Sequence, residues 1–379
     1  MKILQINASY KPAYIYGGPT MSVSALSEQL VKAGHTVSVF TTTANGKHEL
    51  DIEPDATVLV NGVEVTYFER RTKDHSHFSP KLLSALAKRV NTFDVVHIHA
   101  WWNLVSVLSC VVALSKGAKV VVSPRGTLSS YSFQHKSSFV KKAFHALIGK
   151  KLLNKCAVHL TANSEQEELY RLIHPKQFYN IANFIDLPEA QYASDTSIHS
   201  PVKLLFLSRI DEKKGLDLLF DALALLTIDW NLSIAGDGNP KYIEHLQSLA
   251  QARQIHQHIT WLGFRQNDKF DIYQEHDLFV LPSHNENFGN VVIESLSMGT
   301  PVIISKHVGL AAFVAEQDAG WVFDLDHLAL KDAIETAVNQ KEKMERIRKH
   351  GRKLIDQHFS KQVLINSYIK MYKQVTGHD

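Results

Sequence analysis

The sequence predicts an α/β protein of two doubly wound parallel-sheet domains that face each other across a cleft. Short apolar runs alternate with helical periodicity along the whole chain, as in repeated βα units. The length of 379 residues favours more than one domain, since a domain averages ~150 residues. Residues 187–200 (LPEAQYASDTSIHS) are polar and without periodicity, which is typical of a linker.

The predicted domains are residues 1–186 and 201–360, with a C-terminal helix over 361–379 that we expect to pack back on the first domain. Strands of the first domain are predicted at Lys2–Ile6, Thr36–Thr42, Val63–Phe68, Val95–His97, Lys119–Val122, His159–Thr161 and Phe178–Ile181. Those of the second are predicted at Lys203–Leu207, Asn231–Ala235, Ile259–Leu262, Leu278–Leu281 and Pro301–Ile304.

Composition excludes several classes of protein. With 45% hydrophobic and 21% charged residues, the chain is neither disordered nor a disulfide scaffold. Its two cysteines, Cys110 and Cys156, show no zinc-binding spacing and fit a reducing cytosol. No signal peptide or membrane span is expected, since the apolar runs are short. The predicted localisation is cytoplasmic, with a peripheral contact to the inner membrane as an open alternative.

The richest segment spans residues 278–305, where a strand, a polar loop and a helix follow one another. The loop precedes a helix N-terminus at the carboxyl end of a parallel strand, a place that suits anions. Glu286 and Glu294 flank it, and carboxylates there suit the hydroxyl pairs of a sugar or ribose. The alternative is that Glu286 caps the helix and Glu294 lies on a solvated face.

A second segment, residues 204–223, carries Arg209 at the end of a strand and Lys214 five residues later. An arginine fork and a lysine point charge can together clamp a diphosphate. Solvated surface charge is the alternative. Residues 234–240 (IAGDGNP) hold Gly236 in a tight turn, and no third glycine completes a dinucleotide fingerprint, so a nicotinamide cofactor is not expected.

The first domain offers two further polar features. Gly17 and Gly18 precede a helix, where glycines let backbone approach a ligand closely. His97 and His99 share one side of a strand, because side chains alternate along it. They lack an evident third ligand, so a hydrogen-bonding role is favoured over metal binding.

The charge of the chain is unevenly distributed. Residues 1–190 hold 21 basic and 14 acidic side chains (+7), and residues 191–379 hold 20 and 24 (−4). No Asp or Glu occurs from Val95 to Ser164. This stretch contains Arg125, Lys136, Lys141, Lys142, Lys150 and Lys151, several of them beside apolar residues at helical spacing. The pattern predicts either a surface for anionic lipid headgroups or a core-packed helix with a basic outer face.

Together these segments resemble glycosyltransferase family 4, retaining enzymes of the GT-B architecture with two Rossmann-like domains, over essentially the whole chain. The motifs that carry the resemblance are Gly17-Gly18, His97-x-His99, Asn183-Phe184-Ile185-Asp186, Arg209 with Lys214, and Glu286 and Glu294 with seven residues between them, followed by GTPV. Phe184 and Ser208 stand where the family usually has glycine. Pro124-Arg125-Gly126 is most similar to members that build bacterial surface polysaccharides.

The resemblance implies roles for these residues. Arg209 and Lys214 would hold the donor diphosphate, while Glu286 and His99 would meet the donor sugar and Glu294 the ribose. The same resemblance makes the first domain the acceptor side and the second the donor side. The implied donor-binding set is Gly17, Gly18, Gly236, Gly263, Phe264, Asn287, Phe288, Gly289, Asn290 and Glu294.

The predicted reaction is transfer of a hexose from a nucleoside diphosphate sugar to a glycan or glycolipid hydroxyl, with retention, in lipopolysaccharide, capsule or exopolysaccharide synthesis. We expect no obligatory metal, no other cofactor and no nucleic acid partner. Two alternatives stay open: a nucleotide-sugar epimerase of the same fold, and a non-catalytic protein that binds nucleotide sugars.

Overall fold

A computed structural model describes residues 1–129, 138–189, 197–265 and 267–377. The chain divides into two compact units. Unit 1 comprises Met1–Asp186 together with the C-terminal segment from Phe359, and unit 2 comprises Leu187–His358. Each unit has its own parallel sheet.

The main sheet of unit 1 has eight strands. The strands of the described part of this unit are β1 (Lys2–Ile6), β2 (Thr36–Thr42), β3 (Ala44–Asn45), β4 (His48–Glu49), β5 (Thr57–Val60), β6 (Val63–Phe68), β7 (Val95–His99), β8 (Val120–Ser123), β9 (Ala157–Leu160) and β10 (Gln177–Asn180). Their order in the sheet is β10-β9-β8-β7-β1-β2-β6-β5. All neighbours pair in parallel except β5 with β6, while β3 and β4 form a separate antiparallel pair.

Helices cover both faces of this sheet. They are α1 (Gly18–Lys32), α2 (Pro80–Arg89), α3 (Leu104–Ser115), α4 (Ser138–Phe144), a π-helical turn (His145–Gly149), α5 (Lys150–Leu153) and α6 (Asn163–Tyr170). Residues on β1 alternate between two apolar clusters, with Ile3 in one and Leu4 in the other. The sheet is therefore buried on both faces, as expected for parallel strands between helices.

The C-terminal helix of the chain completes unit 1. It spans Lys361–Thr376, and Ser360 caps its first turn by accepting from the backbone N–H of Val363. Its residues Tyr368 and Tyr372 are fully buried in the same apolar cluster as Ile3 of β1. The fold of unit 1 therefore uses both ends of the described chain.

Unit 2 has a six-stranded, fully parallel sheet. Its strands are β11 (Val202–Leu207), β12 (Trp230–Ala235), β13 (Ile259–Gly263), β14 (Leu278–Leu281), β15 (Val302–Ser305) and β16 (Gly320–Phe323), in the order β13-β12-β11-β14-β15-β16. Its helices are α7 (Leu216–Leu223), α8 (Pro240–Ala252), α9 (Lys269–Gln274), α10 (Asn290–Ser297), α11 (Ala311–Glu316), α12 (His327–Asn339) and α13 (Lys341–Phe359). The C-terminal helix of unit 1 is numbered α14.

The predicted fold class is confirmed, because both units are parallel α/β sheets flanked by helices. The predicted strands lie within one or two residues of the observed ones. Four strands of the described residues are additional: the antiparallel edge strand β5, the terminal strand β16 and the short pair β3 and β4. No helix among the described residues is long and apolar enough to cross a bilayer.

Candidate functional site

The site in unit 2 lies at the carboxyl ends of neighbouring strands. The loop after β11 and the loop after β12 pair through a bridge between Ile210 and Gly238. The loop after β14 joins them, because the backbone N–H of His284 donates to the carbonyl of Lys213 at 2.9 Å. The order of β11, β12 and β14 in the sheet thus brings sequence-distant loops to one edge.

Two glycines permit this close packing. A Cβ atom on Gly236 would lie 1.9 Å from the carbonyl oxygen of Ser208, and φ there is +153°. A Cβ atom on Gly215 would lie 2.2 Å from the carbonyl oxygen of Pro282. Any side chain at either position would force the loops apart. Gly236, which the family resemblance assigns to donor binding, is therefore also required for the close packing of these loops.

Lys214 and Glu286 form an ion pair at this edge, with side chains 12% and 23% exposed. Burial opposes ionisation of the Glu286 carboxyl, but Lys214, Lys213 and Arg209 together hold its pKa below its ordinary value. Burial lowers the pKa of Lys213, and Glu286 works against that shift. The sequence did not single out Lys213, because a lysine at the end of a polar loop carries no signal of its own.

Arg209 stands apart from this pair. Its side chain is exposed, and it makes no hydrogen bond or ion pair with another residue that the structure describes. Its charge nevertheless acts on both Glu286 and Lys213. The loops after β11 and β14 thus gather three cations around one carboxylate.

Backbone contacts fix Glu286 in its loop. Its N–H donates to the carbonyl of His307 at 3.0 Å, and its carbonyl accepts from Gly309 at 2.8 Å. Helix α10 begins only at Asn290, after Gly289 in the left-handed conformation at φ +95°. Glu286 therefore does not cap the helix, and the capping alternative is wrong.

Glu294 lies in α10 and is 8% exposed. Its carboxylate pairs with Lys269 at 2.8 Å and accepts from the Tyr273 hydroxyl at 3.4 Å. Burial, reinforced by Glu294, raises the pKa of Tyr273 well above its ordinary value. The alternative of a solvated face residue is wrong for Glu294.

The other predicted donor-binding residues of unit 2 fall into two groups. Asn287, Phe288, Gly289 and Asn290 connect Glu286 to α10, and Phe288 is buried. Gly263 ends β13 with φ +70°, and Phe264 beside it is 63% exposed. Gly263 also accepts from the backbone N–H of Gly236 at 2.8 Å, which ties this position to the loop after β12.

In unit 1, a polar interior begins at Arg125. Its Nε donates to Nδ1 of His99 at 3.2 Å. A guanidinium can only donate, so Nδ1 of His99 carries no proton. His99 therefore donates from Nε2 to Oε1 of Gln5 at 2.7 Å, and Nε2 of Gln5 donates to the Tyr372 hydroxyl at 3.1 Å. The arginine thus sets the direction of each bond in this stretch.

The chain of bonds continues through two more histidines. Because Tyr372 accepts from Gln5, its own proton goes to Nδ1 of His97 at 2.8 Å. His97 then donates from Nε2 to Nδ1 of His159 at 3.3 Å, and His159 donates from Nε2 to the carbonyl of Ile181 at 2.9 Å. Each of the three imidazoles is neutral, with its proton on Nε2.

Burial is the main reason that these histidines stay neutral. It lowers the pKa of His159 to about 3, assisted by the charge of Arg125. It also lowers the pKa of His97 and His99 well below the ordinary range. Both ring nitrogens of His99 are bonded inside unit 1, so the implied contact between its ring and a donor sugar stays a prediction. Gln5, Tyr372 and His159 were not predicted.

Gly17 and Gly18 lie at the start of α1. Gly17 has φ +65° and its carbonyl accepts from the N–H of Met21 at 3.1 Å, so it is the cap residue of the helix. Among the described residues, no group of three or more His, Cys, Asp or Glu is arranged to hold a metal ion.

The basic helical segment of unit 1 packs on the core along one side and carries exposed apolar side chains on the other. Phe144 and Leu152 pack against the apolar cluster around Trp101. On its outer side Phe139 is 82%, Leu147 69% and Ile148 47% exposed. Lysines accompany these apolar side chains at Lys141, Lys142, Lys150 and Lys151. Lys136 lies outside the described residues.

Two family models match the chain in succession. The model described as "Glycosyl transferase 4-like domain" matches residues 17–173, and "Glycosyl transferases group 1" matches residues 191–354. The first falls within unit 1 and the second largely covers unit 2. The chain belongs to the GT-B glycosyltransferases.

Relatives and solved structures agree with this assignment. The glycosyltransferase is 27% identical over 356 residues to the uncharacterised glycosyltransferase MJ1607 of Methanocaldococcus jannaschii. The alignment covers 85% of each of the two chains. It is 28% identical over 178 residues, 47% of this chain and 51% of the relative, to the lipopolysaccharide core biosynthesis glycosyltransferase LpsE of Rhizobium meliloti. Anabaena HepE, solved with UDP and glucose, has a TM-score of 0.76 at 17% identity and covers 99% of this chain and all of its own, which shows the fold.

The ion pair of this glycosyltransferase gives a first prediction. We expect Lys214→Ala and Glu286→Gln each to lower turnover about 100-fold. The double variant should lose much less turnover than the product of these two factors, because paired groups act as a unit. Steady-state kinetics on the three variants measure this coupling. The matched control is the surface pair Lys331 and Glu335, 2.7 Å apart, whose corresponding variants should leave turnover unchanged. Fully multiplicative losses at Lys214 and Glu286 would contradict a shared role.

Proposed function

We propose that this glycosyltransferase moves a hexose from a nucleoside diphosphate sugar to a hydroxyl of a glycan or lipid-linked acceptor, with retention of the anomeric configuration. The observation that carries the proposal is the group of Arg209, Lys213 and Lys214 around Glu286 at one sheet edge. Several cations at one edge suit a diphosphate, and a carboxylate among them suits sugar hydroxyls.

The proposed chemistry follows from the charges that develop during transfer. As the bond between the anomeric carbon and the phosphate oxygen breaks, negative charge grows on the diphosphate and positive charge on the sugar. Arg209 and Lys214 stabilise the first charge, and Glu286 lies close enough to Lys214 to meet a sugar bound beside it. Retention by attack from the leaving-group face lets the departing phosphate take the acceptor proton, so no protein base is required.

The acceptor we propose belongs to a bacterial surface polysaccharide, such as lipopolysaccharide, capsule or exopolysaccharide. The support is the partial similarity to the lipopolysaccharide core glycosyltransferase LpsE, together with the Pro124-Arg125-Gly126 segment. The scheme needs no metal ion or further cofactor. We therefore expect EDTA to leave turnover unchanged, and a loss restored by a divalent cation would contradict this part.

The donor class is tested by thermal unfolding with UDP, GDP and ADP. The cognate nucleotide at 100 times its dissociation constant should add ~2.7 kcal/mol to the free energy of unfolding. The corresponding nucleotide sugars are then incubated with and without a glycan acceptor. Release of nucleotide coupled to a new glycoside with the donor's anomeric configuration supports the proposal. Isomerised sugar without acceptor would instead identify an epimerase, and binding without any reaction a non-catalytic protein.

Glu294 supplies a second prediction, because a buried carboxylate in α10 can hold the ribose hydroxyls. We expect Glu294→Gln to weaken nucleotide affinity at least tenfold, with a smaller change in turnover at saturating donor. Calorimetric titration measures the affinity. Thermal unfolding without nucleotide separates this effect from the loss of the Lys269 pair, and Glu335→Gln is the surface control. Unchanged nucleotide affinity would contradict a ribose contact.

We also propose that the outer side of the basic segment, defined by Phe139, Leu147 and Ile148 with the lysines at 141, 142, 150 and 151, meets the cytoplasmic face of the inner membrane. Exposed apolar side chains beside lysines suit an anionic lipid surface, since the rings and alkyl chains enter the interface while the charges meet headgroups.

For this surface, replacing Lys141, Lys142, Lys150 and Lys151 by glutamate should abolish binding to vesicles that contain anionic lipid. Co-sedimentation measures the bound fraction. The matched control changes four exposed lysines elsewhere in unit 1, Lys32, Lys88, Lys116 and Lys119, and so alters net charge equally. An equal loss of vesicle binding in both variants would indicate a general charge effect. Absence of vesicle binding by the wild-type protein would contradict the proposed membrane contact.

A further inference from the structure

Arg125 of unit 1 is a cation whose hydrogen-bond partners are all neutral. Besides His99, its guanidinium donates from Nη1 to the Ser22 hydroxyl at 2.8 Å and to Oδ1 of Asn183 at 2.7 Å. Nη2 is shielded from solvent and donates to no residue that the structure describes. Arg125 as a whole stays partly exposed.

The charge of Arg125 also lacks a direct counter-ion. Across the described ranges, no carboxylate lies within ion-pair distance of its guanidinium. Glu165 acts on it only from farther away, because one oxygen accepts from the N–H of Gly126 at 2.7 Å and the other from the N–H of Thr161 at 3.1 Å. Covered guanidinium groups in proteins are normally paired with an acid.

The histidine network cannot supply that missing charge. Its bond directions require Nδ1 of His99 to stay unprotonated, and each following group is neutral. The network therefore holds Arg125 in place without compensating it. Arg125 is therefore a cation fixed in position, and the two N–H donors of its Nη2 are unused among the described residues.

The backbone around Arg125 reinforces this arrangement. Arg125 has φ +51°, a left-handed conformation that is uncommon for a residue with a side chain, and Glu165 fixes the next residue, Gly126. Ser22 belongs to the N-terminal part of α1, a helix of 15 residues whose dipole places partial positive charge at that end. Two positive features thus meet where no carboxylate of the described residues lies within ion-pair distance of the guanidinium.

We propose that Arg125 binds an oxyanion of a substrate, a phosphate or a carboxylate, through Nη2. The inference rests on the proposed function, since the anion belongs either to the diphosphate of the donor or to the acceptor. Planar guanidinium N–H donors match both oxyanions.

The test follows the Nε–H resonance of Arg125 in protein labelled with ¹⁵N-arginine and titrated with inorganic phosphate. Phosphate should shift this signal saturably in the wild type and equally in Arg209→Ala, which lacks one of the three cations around Glu286 in unit 2. Arg125→Lys identifies the resonance and keeps the positive charge. An Arg125 signal that phosphate leaves unchanged would overturn the proposal, because Nη2 would then be satisfied by buried water.

Calorimetric titration with UDP distinguishes the two sources of the anion. If Arg125→Gln weakens UDP binding at least tenfold, the anion is that of the donor diphosphate. If Arg125→Gln leaves UDP binding intact while phosphate shifts the Arg125 resonance of the wild type, the anion is on the acceptor. Should Arg125→Gln fail to fold, the UDP titration is made on Arg125→Lys, which keeps the charge but lacks the N–H pair of Nη2. Absence of sugar transfer would refute the proposed function, yet it would leave the phosphate titration unaffected.

Discussion

Arg209→Ala should lower turnover about 100- to 1000-fold while leaving the protein folded. A cation aimed at charge that develops on a leaving group contributes on this scale. Its side chain is exposed and makes no hydrogen bond or ion pair within the described chain, so its loss should change the free energy of unfolding by less than about 0.5 kcal/mol. Catalysis and stability are therefore separable at this position.

Steady-state kinetics with the identified donor measure this effect, and thermal unfolding checks the fold. Arg253→Ala is the matched control, because Arg253 is another exposed arginine of unit 2 and pairs with Asp221 at the surface. Arg209→Lys should recover part of the loss, since it restores charge without the planar fork. Near-normal turnover in Arg209→Ala would remove this residue from the diphosphate clamp.

Unit 1 should lose stability steeply as the pH falls below about 6.5. His97, His99 and His159 are held neutral in the folded protein, with the pKa of His159 at about 3. In the unfolded chain they bind protons near pH 6.5. The stability they provide is thus fully present above pH 6.5 and is lost as the pH falls toward the folded pKa. Each contributes about 1.4 kcal/mol per pH unit in that window.

The two cysteines of the chain provide a reporter for unit 1 alone. Cys110 and Cys156 are both buried there, with their sulfur atoms 3.6 Å apart. Labelling by 4,4′-dithiodipyridine in increasing urea at pH 7.5 and pH 5 gives the unfolding free energy of unit 1 at each pH. His159→Gln should reduce the change of the unfolding free energy with pH by the contribution of one histidine. His245→Gln, at an exposed position, should leave this pH dependence unchanged. A pH-independent midpoint would contradict buried, neutral imidazoles.

Much of the fold was predictable because buried parallel strands leave continuous apolar runs. β1 and β14 were predicted to the residue. β5 was missed because it pairs antiparallel at the sheet edge, and its side chains alternate between exposed and half-buried positions in only four residues. β16 is equally short and terminal. A short strand at the edge of a sheet has neighbours on one side only, and its apolar pattern is too brief to separate from that of a loop.

The candidate site was predictable to the extent that its residues follow strands. Lys214 and Glu286 meet because β11 and β14 are neighbours in the sheet, so their carboxyl ends share an edge. The partners that orient site residues could not be found this way. Lys269 reaches Glu294 from another helix, and Tyr372 reaches Gln5 across 367 positions of sequence. No local pattern marks either one.

The return of α14 to unit 1 has a consequence for biosynthesis. Tyr372 joins Gln5 to His97, so the polar interior of unit 1 stays incomplete until the last turns of α14 have left the ribosome. Unit 2, from Leu187 to His358, is contiguous and is made entirely before that point. We therefore expect unit 2 to complete its fold before unit 1 does, although most of unit 1 is synthesised first.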